Sequence, residues 1–134
     1  MLTRIKSAYL FGCEGGLLEI EVSLSRGLPG TVVVGLPDAA VKESRDRVRS
    51  AINQLGEDFP LKKITVNLAP ADIRKEGPLY DLPIALGILL AREGLSGPED
   101  MAIVGELALD GRVRPIKGAF ALALLLMEQG VRSL

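Results

Sequence analysis

The chain has 134 residues, a length that suits one domain with its own hydrophobic core. Its 16 basic and 17 acidic residues leave a net charge of −1, so no overall field attracts a nucleic acid or a membrane, and any such binding must be local. Histidine is absent, which excludes Ser-His-Asp and Cys-His catalysis and histidine-ligated zinc sites.

The remaining bulk features favour a soluble cytoplasmic protein. Cys13 is the single cysteine, so an internal disulfide is impossible. The N-terminus has no signal-peptide pattern. The longest apolar stretch, Leu82–Ala91, is about half as long as a membrane-spanning helix and contains Pro83 and Gly87. We therefore expect no membrane partner.

Three strands are predicted first along the chain. Leu17–Leu24 alternates apolar residues with Glu19 and Glu21, the pattern of a strand with one wet face, and Ile5–Phe11 is its expected neighbour. Thr31–Val34 is rich in β-branched residues and lies between two Gly-Leu-Pro segments, which favour extended geometry at their leucines. The sequence therefore predicts a third strand with sharp ends.

A helix, a strand and a second helix follow. Asp38 can cap a helix that ends at Gly56, and Ile64–Leu68 is a further strand. The first helix has these apolar positions on one face: Val41, Val48, Ile52 and Leu55. Asp81 is the expected cap of the second helix, which is apolar nearly all round and ends at Gly94. We therefore expect this second helix to be buried at the centre of the domain.

The last third predicts a hairpin and a helix. Met101–Leu107 and Arg112–Ile116 flank Asp110-Gly111, a dipeptide typical of tight turns. A helix over Ala119–Gln129 ends at Gly130, and Val131–Leu134 resembles the entry to a further strand, so we expect the sequence to be part of a longer protein. The order β-β-β-α-β-α-β-β-α predicts one domain over residues 1–134, an α/β sandwich with a mixed sheet.

The charged loop Arg74–Pro78 is, from its residues alone, a tight turn leading into a helix. It also resembles the loop of Lon-type proteases in which Gly-Pro precedes the nucleophilic serine. The segments Gly105–Leu107 and Gly111–Pro115 are similar to the Lon hairpin, which precedes the lysine of the dyad. Residue by residue, this resemblance places Leu79 at the serine position and Phe120 at the lysine position.

Neither of these side chains can supply a hydroxyl nucleophile or a basic amine, so the resemblance implies a Lon-like fold without its catalysis. Lys117, three residues before Phe120, is the nearest amine in the sequence, but no nucleophile accompanies it. A serine-lysine protease whose dyad is displaced to other residues is the alternative that remains open.

Three longer segments resemble the N-terminal domain of the magnesium-chelatase-like ATPase family that includes the competence protein ComM. They are SRGLPGTVVVGLPDAAVKESRDRVRSAI, KITVNLAPADIRKEGPLYDLPIA and VGELALDGRV, which begin at Ser25, Lys63 and Val104. The resemblance implies a non-proteolytic Lon-like domain followed by an AAA ATPase domain that forms a homo-oligomeric ring and works on DNA.

The cofactors ATP and Mg are expected in that attached ATPase domain, after residue 134, because no GxxxxGK[ST] phosphate loop occurs in this sequence. For this chain we therefore predict no cofactor, no metal site and no enzymatic activity. The alternative family is the RadA-type recombination ATPases, which carry a similar Lon-like accessory domain after their motor. The two Gly-Leu-Pro segments and the VKESRDRVRS helix fit the magnesium-chelatase-like family better.

Basic side chains suggest where a partner could bind. Lys42, Arg45 and Arg49 have the spacing of one helical stripe, and Arg74 and Lys75 lie in the charged loop. These five residues are our candidates for contact with nucleic acid or a neighbouring subunit. The alternative interpretation of the stripe is a solvated helix face with local ion pairs, since Glu43 and Asp46 are interspersed.

Overall fold

The structure is a computed structural model that describes residues 2–11 and 14–128. Cys13, Gly130 and the predicted strand entry at Val131–Leu134 lie outside these residues. Within the described ranges, no helix is long and apolar enough to cross a bilayer.

A mixed sheet of four strands forms the centre of the fold, as the sequence predicts. Its strands are β1 (Leu2–Phe11), β2 (Glu14–Ser25), β3 (Gly30–Val34) and β4 (Lys63–Ala69). The order across the sheet is β1-β2-β4-β3. β2 runs antiparallel to both β1 and β4, and β3 pairs with β4 in parallel. Each strand extends beyond its predicted bounds at one end or both, and β3 is an edge of the sheet.

The segment after β3 differs from its prediction, because two helices replace one: α1 (Ala39–Lys42) and α2 (Ser44–Gln54). The break is at Glu43, whose carbonyl accepts the amide of Asp46 at 3.1 Å in a tight i→i+3 turn. Asp38 is confirmed as a cap, since its Oδ1 accepts the Val41 amide at 2.8 Å. Leu55 departs from the predicted apolar face and is exposed beyond α2, whereas Val41, Val48 and Ile52 are buried.

The remaining helices cover the inner face of the sheet and its β1 side. They are α3 (Asp81–Glu93), which packs across β1 and β2, and α4 (Ala119–Glu128), whose Leu122 and Leu126 form a second small core with Ala8 and Ala102. Gly87 lets α3 approach the sheet, because a Cβ at this position would lie 2.6 Å from Val22. α3 is thus the central helix, as its apolar composition predicts.

The hairpin is much shorter than predicted and comprises β5 (Glu106–Leu107) and β6 (Val113–Arg114). Its turn is as expected, with Gly111 at a positive φ of 96°. The residues before β5 pair with β1 instead of β6. Ala102 bridges to Lys6, and the Ile103 amide donates to the Lys6 carbonyl at 2.9 Å.

A buried carboxylate joins α2, α3 and β5. Asp81 was predicted as a helix cap, but this is wrong: Tyr80 is the N-cap residue and the Asp81 side chain is fully buried beneath α2. It accepts hydrogen bonds from Ser44 Oγ at 2.5 Å, from the Leu107 amide at 3.0 Å and from Arg47 Nε at 2.6 Å. Its bond to Arg47 is the largest cause of the raised pKa of this guanidinium.

We predict that Asp81→Ala lowers the free energy of unfolding by about 3–5 kcal/mol, because it leaves the partly buried Arg47 guanidinium and the Leu107 amide without their acceptor. Urea denaturation followed by circular dichroism measures this change. Asp46→Ala, at an exposed position of α2, is the control and should change stability by less than about 0.5 kcal/mol. Equal effects of the two substitutions would contradict the structural role of Asp81.

Candidate functional site

The charged loop is fastened to the chain that follows β3. The Lys75 amide donates to the Leu36 carbonyl at 3.0 Å, and the Asp38 amide donates to the Lys75 carbonyl at 3.0 Å. The Gly77 amide also donates to Asp38 Oδ2 at 3.2 Å, so one carboxylate caps α1 and holds the loop. The loop thus has a fixed shape that does not depend on a bound ligand.

The two basic residues of this loop point to different environments. Lys75 is fully buried, its ammonium donates to the carbonyl of Pro70, and burial lowers its pKa while Asp72 opposes that shift. This side chain therefore stabilises the loop from inside and is not part of the exposed surface. Arg74 is exposed and its Nε lies 3.5 Å from the Glu76 carboxylate.

Leu79, which the resemblance to Lon proteases predicts to occupy the serine position, lies where the loop meets the hairpin. The Gly105 amide donates to the Leu79 carbonyl at 2.8 Å, and the Leu82 amide donates to the Gly105 carbonyl at 3.0 Å. Beside Leu79 is a pocket of about 400 Å³. The pocket is lined by Pro78, Leu79, Glu106, Pro115, Ile116 and Lys117. Lys117, the amine nearest to Phe120 in the sequence, is thus one of the lining residues.

These lining side chains define what the pocket can do. Lys117 supplies an ammonium and Glu106 a carboxylate, but none of the six described lining residues carries a hydroxyl or a thiol. The Phe120 backbone lies in the first turn of α4, directly after this segment. The pocket can accommodate a small apolar group beside two charges, but its lining offers no nucleophile for acyl transfer.

The predicted basic stripe is exposed on α1 and α2. Arg45 Nε donates to the Lys42 carbonyl at 3.2 Å, and its Nη1 lies 3.4 Å from the Thr31 carbonyl of β3. The Arg49 guanidinium lies over the Phe59 ring, 5.6 Å from its centroid. Among the residues that the structure describes, these three cations form no ion pair.

The local ion pair that the alternative interpretation required forms elsewhere. Glu43 pairs with Arg47 at 3.4 Å, on the side of α2 that faces Asp81. The role of Arg47 was not predicted from the sequence. A signal was available, because Ser44, Arg47, Val48 and Ala51 are spaced so that they share a face.

The metal and cofactor expectations can be compared with the side chains present. In the described part of the chain, no group of three or more cysteine and acidic residues could hold a metal ion. Asp81 is committed to Arg47, and Glu76 to Arg74. The sequence also lacks a phosphate loop. These residues do not fit ATP with Mg.

Comparison with known proteins places these features in a family. The sequence model described as subunit ChlI of Mg-chelatase matches residues 20–134. The chain is 47% identical over 131 residues to YifB of Escherichia coli, and this alignment covers 96% of this chain and 26% of YifB. It is 45% identical over 135 residues to competence protein ComM of Haemophilus influenzae, covering 99% of this chain and 26% of ComM.

A more distant similarity connects the chain with proteases. It is 31% identical over 111 residues to the Lon protease of Syntrophomonas wolfei, covering 78% of this chain and 14% of that protease. The chain thus spans about a quarter of the length of YifB and ComM and a smaller share of Lon.

Tyr80, directly after Leu79, gives the site a testable dependence on pH. Burial raises the pKa of its phenol, and the nearby carboxylates of Asp38 and Glu76 add to the shift. The phenol therefore ionises in the unfolded chain near pH 10 while it stays neutral in the fold. Stability from this group is complete below about pH 10 and falls as the pH rises further, because the unfolded state then binds fewer protons.

We predict that Tyr80→Phe reduces this alkaline loss, measured as the free energy of unfolding in urea between about pH 9 and pH 11. The half-buried Tyr9 provides the matched control Tyr9→Phe. An unchanged alkaline slope in Tyr80→Phe would show that the phenol is not protected in the fold.

Proposed function

The chain belongs to the family of the ChlI subunit of Mg-chelatase, and from this premise we propose that it is the non-catalytic, Lon-like N-terminal domain of a DNA-processing AAA ATPase. The Lon-like part of the proposal is supported by the 31% identity to a Lon protease and by the mixed α/β sheet. In this proposal the ATPase domain, with ATP and Mg, follows residue 134 in the intact cytoplasmic protein.

The pocket at Leu79 is the observation that carries the proposal. The loop has its own hydrogen bonds and lies against the hairpin, but residue 79, beside the pocket, is a leucine with a purely apolar side chain. A serine-lysine mechanism needs a hydroxyl and an amine of lowered pKa in contact. A fold that retains the shape without these groups can still serve as a rigid module for assembly or binding.

The same proposal gives the exposed stripe a role in engaging DNA or a neighbouring subunit of a ring. Lys42, Arg45 and Arg49 are exposed and unpaired among the described residues, and they repeat along one side of two successive helices. Exposed Arg74 is the further candidate, whereas buried Lys75 contributes to the loop instead. The name of ComM associates that protein with competence, and we propose the same association for this chain.

We predict that the purified 134-residue chain turns over neither casein nor a fluorogenic peptide and does not hydrolyse ATP. The reason is that the pocket lacks a nucleophile and the sequence lacks a phosphate loop. Fluorescence and phosphate-release assays measure these activities. Peptide cleavage that a single serine-to-alanine substitution abolishes would establish a displaced dyad and refute the proposal.

We predict that the chain binds a labelled 20-nucleotide DNA and that Arg45→Glu/Arg49→Glu weakens this binding about tenfold or more. Each arginine lost from a phosphate contact should also reduce the salt dependence of binding. The slope of the logarithm of the binding constant against the logarithm of the salt concentration should become shallower by about one unit per arginine. Fluorescence anisotropy of single and double strands at two salt concentrations measures both effects.

The matched control is Arg112→Glu/Arg114→Glu, which makes the same change of charge on exposed side chains outside the stripe, on the hairpin. At the higher salt concentration, where the general effect of net charge is screened, this control should change DNA affinity by less than about twofold. Equal weakening by the two double variants would refute a specific role of the stripe.

A further inference from the structure

β3 has an outer edge with which no described strand pairs. The Gly30 amide donates towards β4, to the Lys62 carbonyl, whereas the Thr31 carbonyl lies near Arg45 on the opposite side. Successive residues of a strand direct their backbone groups to alternate sides, so the amides and carbonyls of Thr31 and Val33 face away from the sheet. These are the groups through which a further strand would pair.

An apolar ridge lies beside this edge. Val33 packs on the core, so Val32 and Val34 point to the opposite face of the sheet, where they are 47% and 40% exposed. Leu28, 90% exposed, and the exposed Leu36 flank the strand at its two ends. Such an uncharged, β-branched edge is normally protected in a monomeric protein.

The ridge is local to β3. Val34 is followed across the sheet by a polar row, in which Asn67 Nδ2 donates to Glu21 Oε1 at 2.9 Å and Arg4 Nε lies 3.2 Å from Glu21 Oε2. The part of this row beyond Val34 is therefore suited to water.

Positive charge surrounds the same edge. Arg45 reaches the Thr31 carbonyl at this edge, and Lys42 lies one turn before it. Lys62 and Lys63 lie across the strand, on the β4 side of Gly30. In the part of the chain that the structure describes, none of these four cations is paired with a carboxylate. The exposed Asp46, next to Arg45, offsets one of the charges.

We propose that the free edge of β3 binds an extended peptide segment whose side chains alternate between apolar and acidic, and which adds an antiparallel strand to the sheet. Directly opposed residues of antiparallel strands place their side chains on the same face. Ligand residues opposite Thr31 and Val33 therefore point towards α2 and Arg45, where carboxylates are favoured. The alternate ligand residues lie beside Val32 and Val34, where apolar side chains are favoured.

Arg45 has two roles in this proposal. Without a ligand its guanidinium covers the Thr31 carbonyl and protects the edge. A peptide amide replaces it there, which frees the guanidinium for a carboxylate of the incoming strand. A peptide fits this edge better than a nucleic acid, because it presents donors and acceptors at the spacing of a β-strand. The proposal goes beyond the DNA-processing function and does not depend on it.

The test uses the full 134-residue chain and a fluorescein-labelled nine-residue peptide of alternating glutamate and valine. Fluorescence anisotropy should detect saturable binding of this peptide. The same peptide with lysine in place of glutamate should bind at least about tenfold more weakly. Peptides with N-methyl groups on the glutamates lose the amides that face β3 and should also bind about tenfold more weakly, whereas N-methylation of the valines should have little effect.

A variant of the protein tests the charge. Arg45→Glu should weaken peptide binding about tenfold, and exposed Arg112→Glu on the hairpin is its control. Circular dichroism verifies that both variants fold. Equal binding of the two N-methylated peptides, or of the glutamate and lysine peptides, would overturn the proposal. Binding of labelled DNA without binding of the peptide would also overturn it while leaving the proposed function in place.

Discussion

The arrangement of this domain depends on one buried carboxylate. Asp81 is the first residue of α3. Its carboxylate accepts hydrogen bonds from Ser44 and Arg47 of α2 and from the Leu107 amide of the hairpin. A charge removed from water in this way is tolerated only because every donor around it is directed to its oxygens. The contact therefore fixes the relative positions of α2, α3 and β5, and with them the two segments that bring Leu79 and Glu106 to the pocket.

This constraint helps to shape the pocket beside Leu79. The loop is held by Asp38 and by Lys75, whose ammonium is directed to the loop's own Pro70 carbonyl, and the hairpin is held by Asp81. None of these contacts involves the positions of the Lon dyad. A leucine side chain at position 79 is therefore compatible with the hydrogen bonds that shape the surrounding backbone.

The sequence predicts the elements that have a strong local signal and misses those decided by distant partners. Alternation in β2 and the apolar composition of α3 identify both elements, and Asp38 is found as a cap because capping is local. Asp81 has the same local signal, but its carboxylate instead pairs with Arg47, which lies 34 positions away in sequence. The length of the hairpin is likewise set by β1, whose Lys6 carbonyl takes the Ile103 amide.

The candidate surface shows the same division. Spacing alone places Lys42, Arg45 and Arg49 on one stripe, and the structure leaves them exposed, but the contact of Arg45 with Thr31 follows from the order of strands in the sheet. That order makes β3 an edge next to α2 and so joins a basic helix face to an open backbone. A surface with charge alone suits any polyanion, whereas charge beside a row of free backbone groups and an apolar ridge selects an extended acidic chain.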